Sequence, residues 1–529
     1  MRSFHFPGRS VVYSRKAMCA TSHPTATRIG LEIMKSGGNA VDASIAVAAA
    51  LAVIEPAMTG VGGDCFAILW KPGQGLIGLD AAGRAPAAAT AQWYADKGIR
   101  SIEMQSPHAV TVPGAVDGWA RLLADHGTMS FERVLAPAIE LAEAGFVVAP
   151  RVALDWSKAV QKLQVHAGAR THLLAKGAAP AEGEIMRFPA LAGTLKAIAA
   201  DGRDAFYQGE IAKDLVATLN GLGGVHTLGD FAQQRARYVN PISAHYRGID
   251  VYELPPANQG ITALMILKIV ARVPGFADMP AFSTARYHVL MEAARLAYAF
   301  RDSYLADPDQ ADVPTDFMLS DALAEELAQR VDAKRSRPDL GPIPKPRTSD
   351  TTCFSVVDGD GFAVSFINSL FKAFGSGIVG EKSGVTLHNR GQGFRLEAGH
   401  PNAIAPRKRP LHTLVPGFAL RNGAPYLSFS VMGGDYQAIG HAQLVSSLVD
   451  CGLDPQEAVD LPRMFFEGGT LAVEEAIPEA MRLELERMGH KTSQRADPWG
   501  GAQLILIDQE KGLLAGASDG RKDGIALGL

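Results

Sequence analysis

The feature that most constrains this chain is a junction. Residues 334–350, KRSRPDLGPIPKPRTSD, contain Pro338, Pro342, Pro344 and Pro346, and the segment that follows, TTCFSVVDGDGFAVSF, alternates polar and apolar residues about an Asp-Gly turn. Proline fixes φ and removes backbone donors, so the first segment is expected to be extended, exposed and poor in fixed structure. The second has the grammar of a β-hairpin, with two alternating runs joined at Asp358–Gly361. An exposed tether therefore ends abruptly at Thr351, which opens a strand expected to be buried. On composition alone, Thr351 and Thr352 are β-branched residues doing ordinary strand duty.

The rest of the chain narrows the class. At 529 residues it exceeds one simple core, and typical domain sizes allow about three or four units. Its 47% apolar and 20% charged residues are ordinary for a soluble globular protein. A net charge of −4 without a long basic run argues against nucleic acid as a partner. The N-terminus lacks an apolar core of signal-peptide length, and Ala43–Ile54 is too short for a membrane span, so no membrane partner is expected. Cys19, Cys65, Cys353 and Cys451 are scattered, without a CxxC or zinc-like cluster. These points predict a cytoplasmic protein with reduced thiols, no metal and no cofactor.

Two helices are predicted within residues 21–56, separated by Gly37-Gly38, with Asn39 as the N-cap of the second. Strands are predicted at Phe66–Trp70 and Leu76–Leu79. Residues 114–333 read as mainly helical. Beyond the hairpin, strands are expected at Leu414–Leu420, Tyr426–Val431 and Ala502–Ile507, and helices at Tyr436–Leu448 and Glu479–Met488. Helices flanking antiparallel sheet make an α+β layered fold.

The junction has a chemical reading. The hydroxyl of Thr351 can attack the carbonyl of Asp350, giving an ester that water resolves, so that residues 351–529 begin with a free Thr351. An α-amine has a pKa of about 7.7–8.0, so it is substantially neutral near physiological pH and can act as general base for its own hydroxyl. The G-x-S-x-G match at Gly516–Gly520 is a decoy, because no histidine follows to complete a triad. Gly60–Asp64, GVGGD, lacks a phosphate-loop lysine.

The stretches ATSHPTATRIGLEIMKSGGNAVDASIA, EPAMTGVGGD, VTVPGAVDGW, YRGIDVYELPP, TTCFSVVDGDGFAVSF, FGSGIV and KRPLHTLVPG stand in an order that resembles the γ-glutamyltransferase family of N-terminal-nucleophile hydrolases, over nearly the whole chain. The resemblance implies a four-layer αββα sandwich and autoprocessing between Asp350 and Thr351. It also implies a large fragment, 1–350, and a small catalytic fragment, 351–529, that together form one domain. The fragments would associate as a heterodimer, with a dimer of heterodimers open to it. Gly433 and Gly434 match the family's oxyanion glycines, and glycine suits a backbone that must approach a tetrahedral intermediate closely. Ser369 matches a hydroxyl near the nucleophile.

The departures bear on substrate. Gln392 and Gly393 stand where the family carries an acidic pair for a substrate ammonium, and Phe371 stands where an asparagine is expected. His412 and Thr413 replace paired serines. The carboxylate-binding arginine aligns with Ala82, while Arg84 lies two residues on. Arg84 is the leading candidate for a substrate carboxylate, since its planar fork binds bidentately; Arg390, His412 and Thr413 are further candidates for the pocket. γ-Glutamyl transfer or hydrolysis, as in glutathione metabolism, is the family activity. The alternatives are an amidohydrolase acting on a small carboxylate-bearing amide of oxamate type, or an acylase. A catalytically inactive binding protein on the same fold is the alternative of another class.

Overall fold

The computed structural model describes residues 8–337 and 350–529, so residues 338–349 of the expected tether lie outside the described residues. Two seven-stranded sheets form the centre. The first runs, in spatial order, Val12–Ser14, Leu513–Ser518, Gly501–Asp508, Ala424–Met432, Pro416–Arg421, Ile249–Glu253 and Ile242–Tyr246. The second runs Ile525–Gly528, Met18–Thr21, Asp350–Val357, Ala363–Phe371, Asp64–Lys71, Gly75–Ala81 and Arg237–Val239. Neighbouring strands within both are antiparallel.

Strand alternation explains the layering. Cys353 and Val357 face an apolar layer between the sheets that includes Met18, Phe66, Ile367, Phe418 and Ile505. Phe354 and Val356, of opposite parity, join Ala67, Leu69 and Phe366 on the outer face. There they meet the helices Pro24–Lys35, Ala40–Ile54, Ala115–His126 and Phe131–Ala144. The outer face of the first sheet, through Val251, Phe429, Val431 and Leu504, meets the helices Gly260–Val270, Thr284–Tyr304 and Tyr436–Asp450. The order helix, sheet, sheet, helix is the expected αββα sandwich. Ala40–Ile54 is buried along its whole length, and its alanine-rich surface lets it pack closely on sheet and helices alike. Asn39 caps it through a capping box with Asp42.

The mainly helical reading of residues 114–333 misses five strands, the short antiparallel pair Phe146–Val147 and Ile185–Met186, then Arg237–Val239, Ile242–Tyr246 and Ile249–Glu253. The last two form a hairpin whose turn residues Arg247 and Gly248 both have positive φ, 44° and 88°, the backbone a two-residue hairpin turn needs. Their period-two burial is visible in ISAHY and IDVYE, but the segment is short and sits among long helices. Among the described residues no helix is long and apolar enough to cross a membrane.

Candidate active site

Thr351 lies on the strand Asp350–Val357 with the parity of Cys353, so its side chain faces the space between the sheets. The ladder with Ala363–Phe371 is regular from Val357 to Thr352 and then shifts register, Asp350 pairing with Phe371. Phe371, at this irregularity, has φ 78°, and the backbone beside Thr351 is turned accordingly. Thr351 Oγ1 is 3.1 Å from Ser369 Oγ, and the Phe371 N–H donates to Ser369 Oγ at 2.7 Å. Thr351 and Ser369 are both buried.

A cavity of about 330 Å³ opens onto Thr351, with Met432, Gly433, Trp499 and Gly500 along one wall. Gly433 and Gly434 occupy the turn between the strand Ala424–Met432 and the helix Tyr436–Asp450, at φ 121° and 63°. A Cβ on Gly433 would lie 3.0 Å from Gly500 Cα, so the close packing of the two backbones requires glycine. The Gly433 and Gly434 carbonyls accept the N–H groups of Tyr436 and Gln437 at 3.2 and 3.1 Å, which turns both carbonyls into the helix. Six cationic side chains line the cavity, Arg151, Lys158, Lys162, Lys372, Arg495 and Lys522, against two carboxylates, Asp155 and Asp497. The carboxylates pair with Arg151 and Lys158 respectively. The cavity thus favours anions.

On the other side of Phe371 lies a buried polar cluster. The Arg390 guanidinium sits 4.0 Å over the Phe371 ring and donates to Thr413 Oγ1 at 2.8 Å. His412 Nε2 approaches Asp64 Oδ2 at 3.0 Å, and its Nδ1 accepts the Leu414 N–H, which puts the ring proton on Nε2 and makes it the donor to Asp64. Asp64 Oδ1 takes the N–H groups of Gly83 and Gly114 at 2.9 and 3.0 Å. His388 holds the Thr111 carbonyl at 2.9 Å and accepts the Arg390 N–H. Burial, and then the Arg390 charge, pull both His412 and His388 down to about 3, so both rings are neutral at physiological pH and Asp64 meets His412 as a hydrogen-bond partner.

The structure therefore sets Ser369 against Thr351 and brings Thr351 and Gly433 to one cavity. Arg390, bonded to Thr413, lies on the far side of Phe371, and His412 holds Asp64, the strand partner of Ser369. Arg84 is placed elsewhere. The segment around it is pinned by Ala85 N–H to the Lys408 carbonyl at 2.8 Å and by Val112 N–H to the Arg84 carbonyl at 3.0 Å. Its guanidinium turns outward to Asp309 at 2.9 Å and to the Arg407 carbonyl at 2.8 Å, and it lines a separate concavity of about 220 Å³. Sequence reasoning missed Asp64 and His388. Asp64 ends GVGGD and His388 begins HNRGQGF, and no local pattern marks either residue because what each one bonds lies on distant segments.

A family profile described as Gamma-glutamyltranspeptidase matches residues 26–529. The chain is 35% identical over 531 residues to the glutathione hydrolase-like YwrD proenzyme of Bacillus subtilis, covering 98% of this chain and 99% of that one. It is 35% identical over 533 residues to the oxamate amidohydrolase proenzyme of Klebsiella pneumoniae, covering 97% and 99%. The crystal structure of cephalosporin acylase from Bacillus halodurans superposes with a TM-score of 0.92 at 37% identity, over 100% of this chain and 99% of that one. With the sandwich, the buried strand-opening threonine and the glycine turn already in place, these full-length matches mean that the chain belongs to the gamma-glutamyltranspeptidase family of N-terminal-nucleophile hydrolases.

Proposed function

We propose that the chain cleaves itself between Asp350 and Thr351 and then uses Thr351 to hydrolyse, or transfer the acyl group of, a small amide whose acyl part carries a carboxylate. In the first step Thr351 Oγ1 attacks the Asp350 carbonyl carbon. The C–N bond breaks, the proton from Oγ1 goes to the new α-amine, and an ester joins Asp350 to Oγ1. Water hydrolyses that ester, leaving the Asp350 carboxylate and a free Thr351. In turnover the amine takes the Oγ1 proton as the oxygen attacks the amide, and the N–H groups of Gly433-Gly434 carry the oxyanion. The leaving amine receives the proton, and water or an amine acceptor resolves the acyl-enzyme. Ser369 orients Oγ1 in both steps.

The observation that carries the substrate reading is the placement of Phe371, which pairs with Asp350 on one side and carries the Arg390 guanidinium at 4.0 Å on the other. Asp350 is the acyl half of the first amide this site breaks, so later acyl groups take the same side of Thr351, next to Arg390 and Thr413. A buried guanidinium with a hydroxyl beside it suits a carboxylate. Gln392 and Gly393 offer a substrate ammonium no charge, which favours an oxamate-like acyl group over a γ-glutamyl one. The relative named for oxamate hydrolysis supports the same choice.

The cut leaves the fragments joined by sheet. Ala363–Phe371 pairs with Asp64–Lys71, Asp350–Val357 with Met18–Thr21, and Pro416–Arg421 with Ile249–Glu253, so the heterodimer keeps the ladders of the uncut chain. Mass spectrometry of the purified protein tests processing: two fragments meeting at Asp350/Thr351 are expected, and a wild-type chain that stays whole would sink the proposal. Turnover of oxamate against γ-glutamyl-p-nitroanilide tests the acyl group, and a clear preference for the γ-glutamyl compound would overturn the carboxylate-only reading.

A further inference from the structure

One buried side chain ties the glycine turn to the turn that carries His412 and Thr413, and we infer that Gln259 is a positioning residue for the reaction at Thr351. The inference rests on the proposed roles of Thr351 and of Gly433-Gly434. Gln259 precedes the helix Gly260–Val270 and is fully buried. Its amide nitrogen donates to the Gly434 carbonyl at 2.9 Å and to the Thr413 carbonyl at 3.0 Å. Its Oε1 accepts from Arg301 Nη1 at 2.9 Å, and the same nitrogen reaches Asp435 Oδ1 at 2.8 Å. Its main-chain N–H donates to the His412 carbonyl at 2.9 Å. The orientation of the amide follows from its partners: two carbonyls can only accept and a guanidinium can only donate.

The chemistry at this position fits an amide of this length. Methionine fills the volume and supplies no donor. Glutamate satisfies Arg301 but turns a carboxylate oxygen toward two carbonyl oxygens. The adjoining residues strengthen the tie. The His412 N–H donates to the Ala257 carbonyl at 2.8 Å, the Asn258 side chain donates to the Leu414 carbonyl, and the Val415 N–H reaches Gln437 Oε1 at 2.9 Å.

The functional consequence lies in the glycines. With φ of 121° and 63° and no side chains, Gly433 and Gly434 do not fix the rotation of their own turn. Bonds from outside must do so, and the Gly434 carbonyl has two, from Gln437 N–H and from Gln259. That carbonyl lies in the Gly434–Asp435 peptide plane, so holding it restricts rotation about Gly434 and thereby limits how the adjoining Gly433–Gly434 plane, which carries the Gly434 N–H, can turn. Oxyanion donors stabilise a transition state in proportion to how well they are oriented beforehand. Arg301, buried and paired with Asp435 in the same turn, holds Gln259 in its working orientation.

The test uses the processed wild-type protein, Gln259→Met and Gln259→Glu, with active sites counted by covalent titration of Thr351. Turnover is measured with the best amide found above, and affinity with phenylboronic acid, which forms a tetrahedral anionic adduct on a nucleophilic hydroxyl. Loss of one oriented hydrogen bond is expected to lower kcat per titrated site and boronate affinity each by about tenfold, with KM moved by less than about threefold. A merely structural role would lower the melting temperature and the titratable fraction while leaving both per-site values unchanged, and that result overturns the inference. If Gln259→Met fails to fold, the double variant Arg301→Gln, Asp435→Asn removes the charged donor that holds Gln259 Oε1 without leaving a lone buried carboxylate; a fall in kcat and boronate affinity without a KM change is again expected. A wild-type protein without turnover defeats the reading of Thr351 itself, whereas an active wild type matched by its Gln259 variants defeats only this inference.

Discussion

The hydroxyl oxygens of Thr351 and Ser369 lie 3.1 Å apart across neighbouring strands, and the Phe371 N–H fixes Ser369 at 2.7 Å. Ser369 Oγ thus meets Thr351 Oγ1 and the Phe371 N–H at once. Ser369→Ala removes an orienting bond worth about 1–1.5 kcal/mol and is expected to slow both self-cleavage and turnover roughly tenfold. Ser369→Thr keeps the hydroxyl and should stay near wild type. Thr351→Ala should remain one chain, while Thr351→Ser cleaves more slowly because the methyl no longer restricts χ1. Time-resolved gel and mass analysis of freshly made precursor reads all four; equal cleavage rates for Ser369→Ala and wild type would remove Ser369 from the mechanism.

Arg390 and Arg84 make opposite predictions. Arg390 is buried beside Thr413, whereas Arg84 is partly exposed and paired with Asp309 and Asp307. A charge-assisted bond to a substrate carboxylate contributes about 1.5–3 kcal/mol, so Arg390→Met should lower kcat/KM for a carboxylate-bearing amide by about 10- to 150-fold. The same change should matter much less for an amide without the carboxylate. Arg84→Ala breaks partly exposed ion pairs and should cost at most about 1 kcal/mol of stability, with kcat/KM within about threefold. The reverse ranking in steady-state kinetics would restore Arg84 as the carboxylate ligand.

That contrast marks what could be read from the chain before its structure. The layers, the hairpin opened by Thr351 and the glycine turn were legible because alternation, capping and turn residues are local signals. The start of a buried strand at Thr351 was legible through the abrupt change from a proline-rich segment to an alternating one. Arg84 lies apart from the Thr351 cavity, since its proximity to Ala82 in sequence says nothing about which way a pinned loop turns a side chain. Asp64, His388 and Gln259 act through partners on distant segments; Gln259 meets Gly434 across 175 positions, and no local pattern records such a bond. Phe371 was noted only as a missing asparagine, although its positive φ and its stacking with Arg390 are what connect the cleavage point to the acyl side.

Glu55 supplies a pH dependence of stability that is separate from catalysis. Burial pushes its carboxyl up to about 7, against the attraction of the Lys522 ammonium and a hydrogen bond from Ser22 at 2.8 Å. A carboxyl whose folded pKa is raised favours folding while it is protonated in both states. That contribution is fully present below the unfolded value near 4.5 and is lost as pH climbs to and through about 7. Glu55→Gln keeps an acceptor for Ser22 without the ionisation. Urea unfolding from about pH 5 to 8 should show a wild-type loss of stability on the order of 1–3 kcal/mol that is absent in the variant. Parallel curves for the two proteins would show that Glu55 does not titrate in this range.

The pH dependence of turnover discriminates between the amine and the histidines as the base. His412 and His388 are the imidazoles in the cluster beside Phe371, and burial followed by the Arg390 charge pulls both down to about 3. They remain neutral throughout the physiological range and contribute no limb there. The α-amine of processed Thr351 is active only when neutral, so kcat/KM should fall as pH drops through its pKa. A free α-amine titrates at about 7.7–8.0, and the six cations lining the cavity disfavour a further positive charge, moving the limb lower. Lys522 is the informative neighbour, since it is buried and lines the cavity that opens onto Thr351. Lys522→Met should shift the acid limb upward toward the free-amine value, while His412→Asn and His388→Asn leave its position unchanged. A limb that disappears in either histidine variant would transfer the base role to that ring and displace the amine.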